Sequence, residues 1–277
     1  MKINHDEGYK RFFTHPKMVK DQLEGFVDAQ WVKSLDFETL EKVNSEFITD
    51  KKLKRHASDV IWKVRHQIED QWFYIYLLLE FQSKPDPSMP LHVMVYTGML
   101  YLELYETKQF IKDPKTGYPQ LPPILPLVLY NGKTRWNKAL DVSDLIIESP
   151  LGLEPFRPHM RYLLIDEGQY KNHELAELRN LVAALFQFEN SCKEDDIYEV
   201  LARLGEWLKT PQQEGLQRTF SVWLNEILFP SRFPNVIPPN INSFEKEGTT
   251  MLAETVKGWY DEAEAKGEAS RASSFDI

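Results

Sequence analysis

Apolar and polar positions follow two regimes along the chain. From residue 57 to residue 165, short runs dense in β-branched, aromatic and aliphatic side chains predict strands. Ala57–Val64 (ASDVIWKV) predicts one. Trp72–Gln82 (WFYIYLLLEFQ) predicts a second, apolar at successive positions, as in a central strand buried on both faces. The polar turn Gln67–Gln71 makes the pair an antiparallel hairpin. Pro85-Asp86-Pro87 interrupts the pattern. From Ser88, an expected N-cap, Leu91, Val95, Met99 and Leu102 keep helical spacing to about Glu106. Ile124–Tyr130, stopped by Asn131-Gly132, and Tyr162–Ile165 predict two more strands. This order predicts a mixed α/β fold.

The flanks read differently. Tyr9, Phe12 and Phe13 fit a short first helix with Asp6 as its N-cap, and Pro16 ends it or begins the next, where Met18, Leu23, Phe26 and Val27 keep helical spacing. After Asp166, Leu175–Phe188, Ile197–Leu208 and Gln217–Leu228 predict three helices. Pro230, Pro234, Pro238 and Pro239 then mark a linker into a polar tail with one amphipathic stretch, Met251–Tyr260. The expected organisation is an α/β domain at 1–168, a helical region at 169–230, and a Pro-rich linker with a partly disordered tail at 231–277.

Composition narrows the function classes. At 42% hydrophobic and 27% charged residues, the 277-residue chain resembles ordinary globular proteins, which excludes whole-chain disorder. The formal net charge of −9 excludes a histone-like DNA coat, which needs a cationic surplus, but leaves room for a nuclease with a local basic track. Cys192, the only cysteine, excludes an intramolecular disulfide and a thiolate zinc finger. The start, MKINHDEGYKRFF, has no apolar secretory core. The longest apolar runs fall short of the ~20 residues that span a bilayer. The expectation is a cytoplasmic protein without membrane association. No phosphate-binding Gly-rich loop, H-E-x-x-H or G-x-S-x-G is present, and the seven histidines lack metal-ligand spacing.

A charge anomaly remains. Glu80 and Gln82 end the most apolar run, and their spacing puts both on one face of a strand. A charge there is costly unless paired or bound to a cation. In the expected hairpin Asp59 falls roughly opposite Glu80. Two carboxylates that close repel unless a cation lies between them, and a hard divalent ion such as Mg²⁺, or Mn²⁺ or Ca²⁺, suits such oxygen donors. The plainer alternative makes Asp59 a solvated mid-strand residue and Glu80 a strand end. Residues 51–66 add Lys51, Lys52, Lys54, Arg55, Lys63 and Arg65 against the single acid Asp59, a local cationic footprint suited to a phosphate backbone.

These residues resemble a known family. Asp59 followed by Glu80-Phe81-Gln82 is similar to the PD-(D/E)xK nuclease signature. With His5-Asp6…Lys10…Phe13, SDVIWKV, YLLLEFQSKPDPSMP and LPPILPLVLYNGKTRW in order, about residues 4–230 resemble the Rpn/YhgA-like family of bacterial transposase-like proteins and recombination-promoting nucleases. The resemblance implies a restriction-endonuclease-like mixed sheet flanked by helices, and a Mg²⁺-dependent DNA endonuclease linked to recombination or to mobile or foreign DNA. It implies Asp59 and Glu80 as metal carboxylates and Gln82 at the position of the motif lysine. Gln82 has no charge to contribute, so activation of water would fall to the metal. His92 stands where relatives often carry arginine. Asp6 or Glu7 is a candidate auxiliary carboxylate, and Lys10 a candidate phosphate contact. The rival expectation is an inactive DNA-binding or recombination accessory protein of the same fold. Self-association through the helical C-terminal half is a further expectation.

Overall fold

The computed structural model describes residues 5–43, 60–67, 72–80, 84–148, 150, 152–190, 194–232 and 258. The chain divides into two units, one formed by Phe26–Gln169, the other by Met1–Gly25 together with Tyr170–Ile277. The partition puts residues 1–25 with the C-terminal helices, whereas the sequence reading groups them with residues 26–168.

The α/β unit is built on a five-stranded mixed sheet in the order β1-β2-β3-β6-β7, with β1 Leu35–Val43, β2 Val60–His66, β3 Trp72–Glu80, β6 Ile124–Tyr130 and β7 Leu163–Asp166. The expected hairpin is present: β2 and β3 pair antiparallel from Arg65↔Trp72 to Val60↔Leu77. β3 is central, and Tyr74, Ile75, Tyr76 and Leu77 are all buried, so both of its faces are covered, which is why its sequence does not alternate. Helix α3 (Met89–Glu106) then carries the chain across to β6, parallel to β3, and β7 extends the parallel set. Its Met89, Val93, Tyr96, Leu100 and Leu104 form one core with Tyr74, Tyr76, Val128, Tyr130 and Trp136. Each such side chain removed from water contributes about 1.5–3 kcal/mol.

Two elements were not expected. β1 (LDFETLEKV) is an edge strand whose register to β2 shifts between Asp36 and Glu41. Its charges and its irregularity blunt an edge that would otherwise pair with another chain. A small hairpin, β4 (Ile111–Lys112) with β5 (Pro119–Gln120), interrupts the loop before β6.

The helical unit contains α1 (His5–Phe12), α2 (Pro16–Phe26), α4 (Asn172–Leu178), α5 (Leu181–Asn190), α6 (Glu194–Trp207), α7 (Glu214–Trp223), a π-helical turn at Leu224–Leu228, and α8 (Phe229–Arg232). α1 already includes His5, so Asp6 lies in its first turn rather than at the N-cap. Phe12 packs tilted against Phe220 at 4.5 Å, and Tyr9 meets Trp223 edge-on at 6.4 Å. Gly8 permits this approach, because a Cβ there would stand 2.5 Å from Ile227 Cδ1. Buried Asp21 accepts the Leu181 N–H at 2.7 Å, tying α2 to the start of α5. The helix expected at Leu175–Phe188 is two helices, broken at Arg179, whose φ of 50° is left-handed.

Candidate functional site

Three parallel strands end level with one another. The register pairs Glu80 of β3 with Tyr130 of β6, and Tyr130 with Asp166 of β7. Open α/β sheets bind ligands beyond the carboxyl ends of such strands, where the connecting loops converge. Here those loops are 84–88 leading into α3, 131–141 after β6, and 167–171 after β7. Glu80 is described by its backbone, and closes β3 as the apolar run predicts.

The remaining expected site residues divide into two groups. Asp59, Gln82, Lys51, Lys52, Lys54 and Arg55 lie outside the described residues. The β2–β3 register is described as far as Val60↔Leu77, one position short of Asp59 and three short of Glu80. Lys63 and Arg65 are described, and they pair with Tyr74 and Trp72 at the other end of β3. At ~3.3 Å per residue, that is about 20–26 Å along the strand from Glu80. Both are engaged there. Lys63 Nζ is 3.1 Å from Glu41, and both cations stack on Trp72, at 4.5 and 4.8 Å from the ring centre. A pocket of about 430 Å³, walled in part by Trp72, Tyr74, Phe110 and Gln120, lies at that same far end. Glu7 and Lys10 sit on α1 in the helical unit, Glu7 paired with Arg11 at 3.3 Å. Among the described residues no group of three or more His, Cys, Asp and Glu is placed to hold a metal.

Two polar clusters border the carboxyl edge of the sheet, and sequence reasoning missed both. Asp86 Oδ1 accepts from the Ser88 N–H at 2.7 Å and from its hydroxyl at 2.6 Å. His92 Nε2 lies 3.1 Å from the Ser88 hydroxyl and 3.5 Å from Asp86 Oδ2. Ser88 is the N-cap residue as expected, but its own side chain makes no cap bond and is held by Asp86 instead. The Tyr162 hydroxyl is pushed well above its ordinary range, mainly by burial and further by the negative charge of Asp86.

Asp166 is the second hub. Its carboxylate is fully buried and accepts from Arg135 Nη1 at 2.6 Å, from the Trp136 backbone N–H at 2.9 Å and, more weakly, from Gln169 Nε2 at 3.4 Å. Arg135 Nη2 also donates to the Gly132 carbonyl at 2.8 Å, so the loop after β6 winds around the end of β7. A signal existed: Asp166, like Glu80, is a carboxylate closing an apolar run.

Residues 3–218 match the family model described as "Putative transposase, YhgA-like". The "Inactive recombination-promoting nuclease-like protein RpnE" of Escherichia coli K12 is 25% identical over 72% of this chain and 62% of its own length. "Recombination-promoting nuclease RpnC" of the same strain is 28% identical over 47% of this chain and 39% of its own length. The shorter "Putative inactive recombination-promoting nuclease-like protein YjiP", also from that strain, is 32% identical over 34% of this chain and 87% of its own length. The chain thus spans less than two thirds of RpnE and RpnC. No solved structure matches. Among the described residues, no helix is long and apolar enough to cross a membrane.

Proposed function

The chain belongs to the YhgA-like transposase family, and from that premise we propose that it is a divalent-metal-dependent DNA endonuclease with a restriction-endonuclease-like, PD-(D/E)xK core. The observation that supports this most is the position of Glu80 at the carboxyl end of the central strand, level with the ends of β6 and β7. We take Asp59, one residue before the last described pair Val60↔Leu77, as the partner carboxylate of Glu80.

In this reading Asp59 and Glu80 supply carboxylate oxygens and Gln82 an amide, a donor set that fits a hard divalent cation. Such a cation, when bound, lowers the pKa of water and neutralises charge on the phosphate. Asp59 and Glu80 would hold the cation, and Gln82 would orient the attacking water by hydrogen bonding, without a charge of its own. DNA is the proposed substrate, as the names of RpnC and other relatives suggest. Lys51, Lys52, Lys54 and Arg55, in the segment leading to Asp59, are proposed phosphate contacts.

The names of RpnE and YjiP favour a second reading, a DNA-binding accessory protein without catalysis. Conversion of supercoiled plasmid with Mg²⁺ or Mn²⁺ decides between them. The nuclease reading expects nicking by the wild type and none by Asp59→Ala. Wild-type protein that binds DNA but nicks it with neither metal supports the accessory reading. Nicking by Asp59→Ala at the wild-type rate overturns the assignment of the site.

A further inference from the structure

We propose that the duplex-DNA backbone is held by a cationic rim of Lys84, Lys133 and Arg135 on the loops at the carboxyl edge of the sheet, and that Lys63 and Arg65 take no part. The proposal rests on the nuclease reading and adds to it which described residues face the substrate. Lys84 lies four residues beyond Glu80, on the connection from β3 to α3. Lys133 and Arg135 lie three and five residues beyond Tyr130, on the connection from β6. β3 and β6 are in register where Glu80 pairs with Tyr130. All three cations are exposed.

Arg135 is the fixed point of the rim. The Asp166 carboxylate holds one end of its guanidinium and the Gly132 carbonyl the other, yet 43% of the side chain stays exposed. Three contacts, the third to the Lys133 carbonyl at 3.5 Å, occupy three of the five N–H groups and leave two directed elsewhere. A fork fixed in this way is suited to a phosphate, because little side-chain freedom is left to lose. Gly168 is part of the arrangement: a Cβ there would stand 1.9 Å from Arg135 Nη1 and push the guanidinium off Asp166. Asp166 offsets the charge of Arg135, whose remaining N–H groups act as oriented donors, and Lys84 and Lys133 supply the exposed cations.

Lys63 and Arg65 differ in position. They lie at the far end of β3, about 20–26 Å from Glu80 along the strand. Screening over ~8 Å at physiological salt makes them negligible for a phosphate beside Glu80. Both also lie against the Trp72 ring there.

The test is the salt dependence of binding to a short DNA duplex, measured by fluorescence anisotropy without divalent metal. Each phosphate contact contributes a slope of about −0.9 in log K against log salt. The full-length chain is compared with Lys84→Gln/Lys133→Gln, which leaves the Arg135–Asp166 pair intact, and with Lys63→Gln/Arg65→Gln. The expected result is a slope shallower by about 1.8 for the first variant, from two lost contacts, and an unchanged slope for the second. An unchanged slope and affinity in the first variant overturns the rim, as does a loss confined to the second. Wild-type protein without salt-dependent DNA binding overturns the nuclease reading together with the rim, so the two failures are distinguishable.

Discussion

Asp166 shows how much one residue can organise. Its carboxylate is the acceptor for the Arg135 guanidinium and for the buried Trp136 backbone N–H, both on the loop after β6, and water does not reach it. Asp166→Ala would strand the Trp136 N–H, and a buried donor left unsatisfied costs about 1–3 kcal/mol. Asp166→Asn keeps an acceptor for that N–H and should cost less. The expected order in urea unfolding is wild type, then Asn, then Ala, with Ala lower by about 2–3 kcal/mol. Equal midpoints for Ala and Asn would show that the Trp136 bond carries no stability. His15 gives a pH dependence. Its ring nitrogen bonds the Thr219 hydroxyl at 3.0 Å, and burial lowers its pKa below the ordinary value. The unfolded chain therefore takes up a proton on this ring at higher pH than the folded one. Stability is fully present above about pH 6.5 and falls as pH drops below it. His15→Gln should flatten that part of the profile, measured as urea midpoints between about pH 7.5 and pH 5.5.

At the scale of elements, legibility followed burial. Strand β6 and the bounds of helix α3 match their sequence signals, but Leu91, Val95 and Leu102, which marked α3, are exposed, and its buried face is Met89, Val93, Tyr96, Leu100 and Leu104. β1 was not legible. Glu38, Glu41 and Lys42 face solvent on an edge strand, and the register shift breaks the alternation that would reveal it. The same logic divides the candidate site. Glu80 stood out as a charge closing an apolar strand, whereas Lys84, Lys133 and Arg135 are loop cations with no periodicity to mark them. The break between α4 and α5 was also hidden, because Arg179 occupies a left-handed position where helices usually end on glycine or asparagine. Arg179→Gly removes that backbone cost of about 1 kcal/mol, less the entropy that glycine returns to the unfolded chain. The expected outcome is a melting temperature unchanged or raised by a few degrees, and a clear drop would assign the Arg179 side chain a packing role.

For the whole molecule, the discontinuous helical unit is the feature with most consequence. It is closed by chain segments some 150 residues apart, through Asp21 at the start of α5 and through the rings of Tyr9 and Phe12 against Trp223 and Phe220. Truncating a buried aromatic costs about 3–5 kcal/mol, so losing two approaches the ~5–15 kcal/mol that holds a domain together. The sheet and α3 draw their core from residues within Phe26–Gln169. A chain of residues 26–277 should therefore lose order in α5, α6 and α7 while β2, β3 and β6 persist. Hydrogen exchange tests this directly, since amides of a lost element exchange quickly and those of a retained core stay protected. Rapid exchange confined to α4–α8 is the expected pattern. Protection of α5 and α7 at the full-length level would show that the C-terminal helices hold together without α1 and α2, and loss of protection in β3 would show that the sheet depends on residues 1–25.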